Sequence, residues 1–212
     1  MVLVCKPSFI GRSAWDALVL QLAATFTSPT SQTWRQIVLV WVLHHRPAVT
    51  TVIILMLGGL ADRTWTVYHK FFYHARWSLD TLCMQLLMHV VEPMLVEAGK
   101  VYLRTGQPIA DLNIDDTTVA RYGKHVAHAG YFKNASAAGV ATKGTVIHWA
   151  HNWIIGAVTL RLPAWPKMRW VLPVLFTLYR KPSDCNRQHP FYTRQQLAGQ
   201  MVQDAVKALP NV

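Results

Sequence analysis

Acidic residues are scarce in this chain. Ten Asp and Glu stand against 21 Lys and Arg, a formal charge of +11. Only two glutamates occur, Glu92 and Glu97, and beyond Asp116 the only acids are Asp184 and Asp204. Such a balance suits a polyanionic partner, nucleic acid before an anionic membrane surface. The surplus is uneven: 8 basic and 5 acidic residues in 1–100, but 13 and 5 in 101–212. Cysteine is scarce too. Cys5, Cys83 and Cys185 form no C-x-x-C pair, and an odd number argues against a disulfide framework, so a reducing, cytoplasmic setting is expected. Long apolar runs are missing. Ile37–Leu43 and Val52–Leu57 are separated by His44-His45-Arg46-Pro47, and each falls short of the roughly 20 residues that span a bilayer, so no membrane partner is expected. The first ten residues lack the apolar core of a secretory signal. No G-x-x-x-x-G-K-[ST] loop is present, which argues against a nucleotide-driven motor. Two H-x-x-H pairs, His125 with His128 and His148 with His151, have no cysteine close in sequence. The second pair falls in an expected strand, where residues three apart point to opposite faces, so zinc is disfavoured.

What is present begins with a large apolar fraction, 52%, enough for a sizeable core. The first hundred residues read as helices. Ser31 caps one that runs through Trp34, Ile37, Val38 and Trp41 and stops before Pro47. A second, Val52–Leu57, ends at Gly58-Gly59, and Asp62 caps a third with Trp65, Tyr68, Phe72 and Ala75 on one face. Ser78 opens a fourth, with Leu79, Leu82, Leu86 and Val90 in line, which Pro93 kinks or ends and Gly99 closes.

The pattern then changes. Val101–Leu103 and Ile109–Ile114 read as extended, and residues 121–144 as a polar, glycine-rich, mobile loop. Val146–Leu160 and Trp170–Tyr179 read as strands, the latter interrupted by Pro173. Thr193 and Gln196 form a capping box for a helix lined by Leu197, Met201, Ala205 and Ala208. The expected class is α+β: a helical domain over 1–100, then three strands and a helix over 101–212. That order is how an RNase H-like fold begins.

Asp115-Asp116-Thr117 follows an apolar stretch. A carboxylate on a rigid strand beside a groove can hold a divalent cation, and paired cations of this kind serve in cutting and joining phosphodiesters. Asp-Asp-Thr alone would equally be a capped turn or a salt-bridged loop. The surrounding motifs say more. Arg121-Tyr122-Gly123-Lys124, Ala129-Gly130, His148-Trp149, Asn152-Trp153, Leu160-Arg161-Leu162-Pro163, Leu172-Pro173-Val174-Leu175 and Leu178-Tyr179-Arg180 follow it in order. Upstream stand Asp62-Arg63-Thr64-Trp65, Tyr68-His69-Lys70-Phe71-Phe72 and Ala75-Arg76-Trp77-Ser78. Together, from about Phe26 onward, they resemble DDE-type insertion-sequence transposases.

The resemblance implies an RNase H-like catalytic domain, Mg²⁺ or Mn²⁺ as cofactor of the complete enzyme with no tight binding expected by this chain, DNA as partner, and homodimers when DNA ends are paired. It implies metal-dependent cleavage at element ends and strand transfer. The family's D-x-[ST] pattern falls on Asp115, with Thr117 as the hydroxyl, and makes Asp115 the expected catalytic metal ligand. A second aspartate and a later glutamate have no counterpart here, so the chain is expected to be a fragment, inactive alone, acting on DNA in the cytoplasm. The alternative is a non-catalytic DNA-binding remnant.

Two basic sets are candidates for DNA contact. Arg63, Lys70 and Arg76 accompany a possible helix-turn-helix unit, against which stands a plain helical hairpin with an aromatic core. Arg121, Lys124, Lys133 and Lys143 punctuate the loop after Asp115, where phosphate contact competes with a merely solvated loop.

Overall fold

A computed structural model describes residues 9–23, 25–43, 64–99, 109–123, 125–133 and 147–210. The chain divides into two compact units, Met1–Gln85 and Leu86–Val212. The expected helix at 52–57, the extended stretch at 101–103, and Asp62 all lie outside the described residues.

The first unit is helical. Helix α1 spans Phe9–Ala23 and α2 spans Ser28–Leu43. The α2 start precedes the expected cap: Ser31 already donates its backbone N–H to Thr27 O, and its hydroxyl turns back to Ser28 O. Asp16 on α1 pairs with Arg35 on α2. Phe26, in the connection, stacks on Trp34 at 4.9 Å and meets Phe71 at 6.1 Å and Trp77 at 5.8 Å. Helix α3 spans Trp65–His74. Its Tyr68 is fully buried and donates its hydroxyl to Gln36 Oε1 at 2.7 Å. The expected face is corrected at Phe72, which is exposed, while Phe71 reaches Phe26.

Helix α4, Leu79–Leu86, opens on Ser78, whose hydroxyl accepts from the Thr81 N–H as expected. A π-helical turn, Leu87–Val91, follows, then α5, Glu92–Ala98. The buried stripe is Cys83, Leu87, Val91 and Leu95, one residue off the expected line. The shift is already present at Cys83, ahead of the π turn. Pro93 has no N–H for the carbonyl four residues earlier, and the backbone widens so that the Glu92 N–H reaches Leu87 O. Gly99 closes α5 in the left-handed conformation, φ 65°. Among the described residues one helical stretch, Leu79–Ala98, is long and apolar enough to cross a membrane. Asp80, Glu92, Pro93 and Glu97 interrupt it, and Leu87, Val91 and Leu95 are buried in the protein.

The second unit is built on an antiparallel sheet. Its strands are β1 Asp111–Ala120, β2 Gly130–Lys133, β3 Ile147–Leu160 and β4 Trp170–Tyr179. Among the described residues four strands therefore stand where three were expected: β2 lies inside the stretch read as loop. β3 is the common partner. β1 pairs along one side of it, Asp111↔Thr159 through Ala120↔Ala150. β2 and β4 share its other side end to end, β2 against Ile147–Ala150 and β4 against Asn152–Leu160. Pro173 cannot donate to the ladder, and the β3–β4 register shifts beside it, between Gly156 and Ala157. Among the described residues β1 pairs with β3 alone, leaving its outer edge open.

Alternate residues of β3 face a core. Ala150, Asn152, Ile154, Val158 and Leu160 are buried. The last helix, α6, spans Arg194–Ala208 behind a complete Thr193–Gln196 capping box, and covers this face with Leu197, Met201, Ala205 and Ala208. A Cβ at Gly156 would stand 2.7 Å from Met201 Sδ and 3.1 Å from Leu175 Cβ, so the glycine lets helix and sheet approach.

Candidate functional site

β1 runs straight through Asp115-Asp116-Thr117. The expected strand ended at Asp115. Instead its ladder with β3 continues to Ala120, because β3 is 14 residues long and Thr117, Thr118 and Val119 are β-branched. Both aspartates are therefore mid-strand, and a period of two sends them to opposite faces.

Asp116 lies across from Ile154, on the face that α6 covers. Its Oδ2 accepts from Asn152 Nδ2 at 2.9 Å and meets Arg194 NH1 at 3.2 Å. Asn152 is 1% exposed, and its Oδ1 has no partner among the described residues. An amide flip would turn that oxygen on the carboxylate, so the donating nitrogen belongs where it is. Arg194 is the first residue of α6, and its guanidinium sits 5.2 Å from the Tyr179 ring centre. The carboxylate thus rests between a buried amide and a cation at the positive end of a helix. Asp115 lies across from Ile155 on the other face. It is exposed, and among the described residues its Oδ1 accepts only the neighbouring Asp116 N–H, at 2.8 Å.

The basic candidates are scattered. Arg63, Lys124 and Lys143 lie outside the described residues. Lys70, on α3, and Arg76, just after it, are exposed, as is Lys133 at the end of β2. Arg121 is engaged: its N–H reaches Trp149 O at 3.0 Å, and its Nε donates to His151 Nδ1 at 2.9 Å. That leaves the His151 Nε2 proton for Ala127 O at 2.8 Å. Within the supposed mobile loop, Arg121 and Ala127 are therefore tied to β3, a correction that follows from these bonds. The two H-x-x-H pairs do not gather. Among the described residues no group of three or more His, Cys, Asp or Glu could hold a metal.

Over residues 21–211 the sequence matches the DDE superfamily endonuclease family. That is most of its length. The chain belongs to the DDE superfamily endonucleases. Comparison with curated proteins and with solved structures gives no further match. Helices combined with an antiparallel sheet are consistent with a DDE nuclease fold. DDE endonucleases act on DNA and generally use divalent metal ions.

Asn152 and Arg194 were not singled out from sequence as parts of a DDE site. Asn152 had a signal: it is the one strongly polar side chain among the alternate positions 150, 152, 154, 156, 158 and 160 of an otherwise apolar strand face. Arg194 had none, because its meeting with Asp116 spans 78 residues of sequence.

Proposed function

We propose that this DDE endonuclease is a transposase chain, made for metal-dependent cleavage at transposon ends and transfer of the freed strand to target DNA. The observation that carries the reading is the polar set around Asp116. Carboxylate oxygens and the orphaned Asn152 Oδ1 are hard donors of the kind Mg²⁺ or Mn²⁺ takes, so the residues present fit that cofactor in chemistry. When bound, such metals activate an attacking oxygen and stabilise a leaving one. The chain's own residues do the holding. Asn152 fixes the Asp116 carboxylate, and Arg194 balances its charge. Asp115, the ligand expected from the D-x-[ST] pattern, is the open alternative on the opposite face. Two carboxylates on opposite faces cannot join one cluster, so a single member of the pair serves.

The domain reading belongs to the same proposal: the region before residue 100 contacts DNA through Arg63, Lys70 and Arg76, and Lys124, Lys133 and Lys143 add phosphate contacts. The remaining carboxylates come from outside the described residues, on a strand that pairs with the open edge of β1 and completes an RNase H-like sheet. Two copies pair the DNA ends, in the cytoplasm where the DNA lies.

Manganese binding followed by calorimetry tests the site. Asp116→Asn is expected to abolish it, and Asp115→Asn to leave it. The reverse pattern moves the ligand to Asp115, and binding unchanged in both removes the metal reading. Plasmid incubated with the chain and Mg²⁺ is expected to stay intact. Nicking that either substitution abolishes would show a complete carboxylate set within these residues.

A further inference from the structure

The β3–β4 connection, residues 161–169, has played no part so far. It reads Arg-Leu-Pro-Ala-Trp-Pro-Lys-Met-Arg, and no acid occurs between Asp116 and Asp184 in the sequence. Its backbone is compactly turned: the Trp165 N–H reaches Leu162 O at 2.9 Å, and the Met168 N–H reaches Trp165 O at 3.0 Å. Leu162 is buried and anchors the turn, and Pro163 and Pro166 restrict it further. A defined shape is therefore presented to solvent.

What it presents is unusual for a surface loop. Trp165 and Met168 are each 51% exposed, and Val171 just beyond is 55% exposed. The Trp165 ring lies 5.6 Å from Trp170, whose indole N–H is buried without an acceptor among the described residues. Arg161, Lys167 and Arg169 surround these apolar groups, all exposed and none in an ion pair among the described residues. Arg161 and Arg169 line one hollow with Asn113 and Thr159; the carboxylate there, Asp111, has a partner of its own. Exposed apolar surface ringed by charge marks an interaction site, and cations interleaved with an exposed indole match a phosphate backbone carrying free base faces.

We infer that this hairpin tip is a docking surface for single-stranded DNA. Arg161, Lys167 and Arg169 take phosphates, and Trp165 stacks on an unpaired base. A duplex hides its base faces in the stack, which is why the indole selects a single strand. By the β1–β3 register, the tip lies about five residues along β3 from the Asp115–Asp116 pair, about 17 Å at strand rise. A strand opened near the site would reach it. The inference rests on the DNA reading above and adds a place and a strand state to it.

Fluorescence anisotropy of a labelled 12-nucleotide dT oligomer, and of a hairpin duplex of similar length, tests it over a range of salt on the full chain. Trp165→Ala is expected to weaken oligomer binding about 5- to 100-fold, the span of base–aromatic stacking, with its salt slope unchanged. Trp165→Phe should recover most of it. Replacing Arg161, Lys167 and Arg169 with Gln should lower the log–log salt slope by about 2, at about 0.7 per phosphate on single strands. Duplex binding should change less in the tryptophan variant. If the wild-type chain binds DNA but these variants bind as well as it does, or lose duplex and single strand alike, the tip is not the surface and the DNA reading survives. Binding to phosphatidylglycerol vesicles with no oligomer binding overturns both.

Discussion

The two faces of the sheet in the second unit treat side chains very differently. On one face, alternate residues of β3 are buried beneath α6, and the carboxylate at the margin, Asp116, is held by an amide and a guanidinium. On the other, every side chain that β1 presents is exposed, from Asp111 and Asn113 through Asp115 and Thr117 to Val119. One residue of sequence separates Asp115 from Asp116; both are exposed, yet only Asp116 is held by other side chains, Asn152 and Arg194. Adjacent acids on a strand are thus chemically unlike, and a motif written as spacing hides the distinction.

Substitutions can sharpen that contrast. Met201→Ala removes packing from the covered face and is expected to cost about 2–4 kcal/mol, measured by urea unfolding. Gly156→Val forces a side chain between β3 and α6, and about 1–3 kcal/mol of destabilisation should follow in the same assay. Thr193→Ala strips the cap from α6 and should lower stability by ~1 kcal/mol. Asp115→Asn, on the open face, should shift the unfolding midpoint by no more than about 0.5 kcal/mol equivalent. If Asp115→Asn proved as costly as Met201→Ala, the open face would be holding structure, and the contrast would collapse.

Legibility followed how local each cause is. The α6 helix was readable to its cap and its four buried residues, because capping box and periodicity sit within 17 residues. β3 and β4 were readable from their apolar, β-branched and aromatic content. β2 was not: four residues, Gly-Tyr-Phe-Lys, become a strand only because the end of β3 offers a free side. The α1 helix went unread, and the buried stripe on α4–α5 lies one residue from the expected line from Cys83 onward. Of the site, the pair Asp115-Asp116 was visible as chemistry. Which face each takes depended on register, and the Arg194 contact on the placement of α6 against the sheet.

Every ladder in this sheet runs through β3, which has a consequence for synthesis. No strand of the sheet can find its described partner until residues 147–160 have been made. β1 ends at Ala120 and β3 at Leu160. At ribosomal rates of roughly 5–20 residues per second, β1 waits about 2–8 s with both edges bare. A nascent chain of this protein is therefore most vulnerable to mispairing, and most in need of a holding chaperone, in the interval between those two strands.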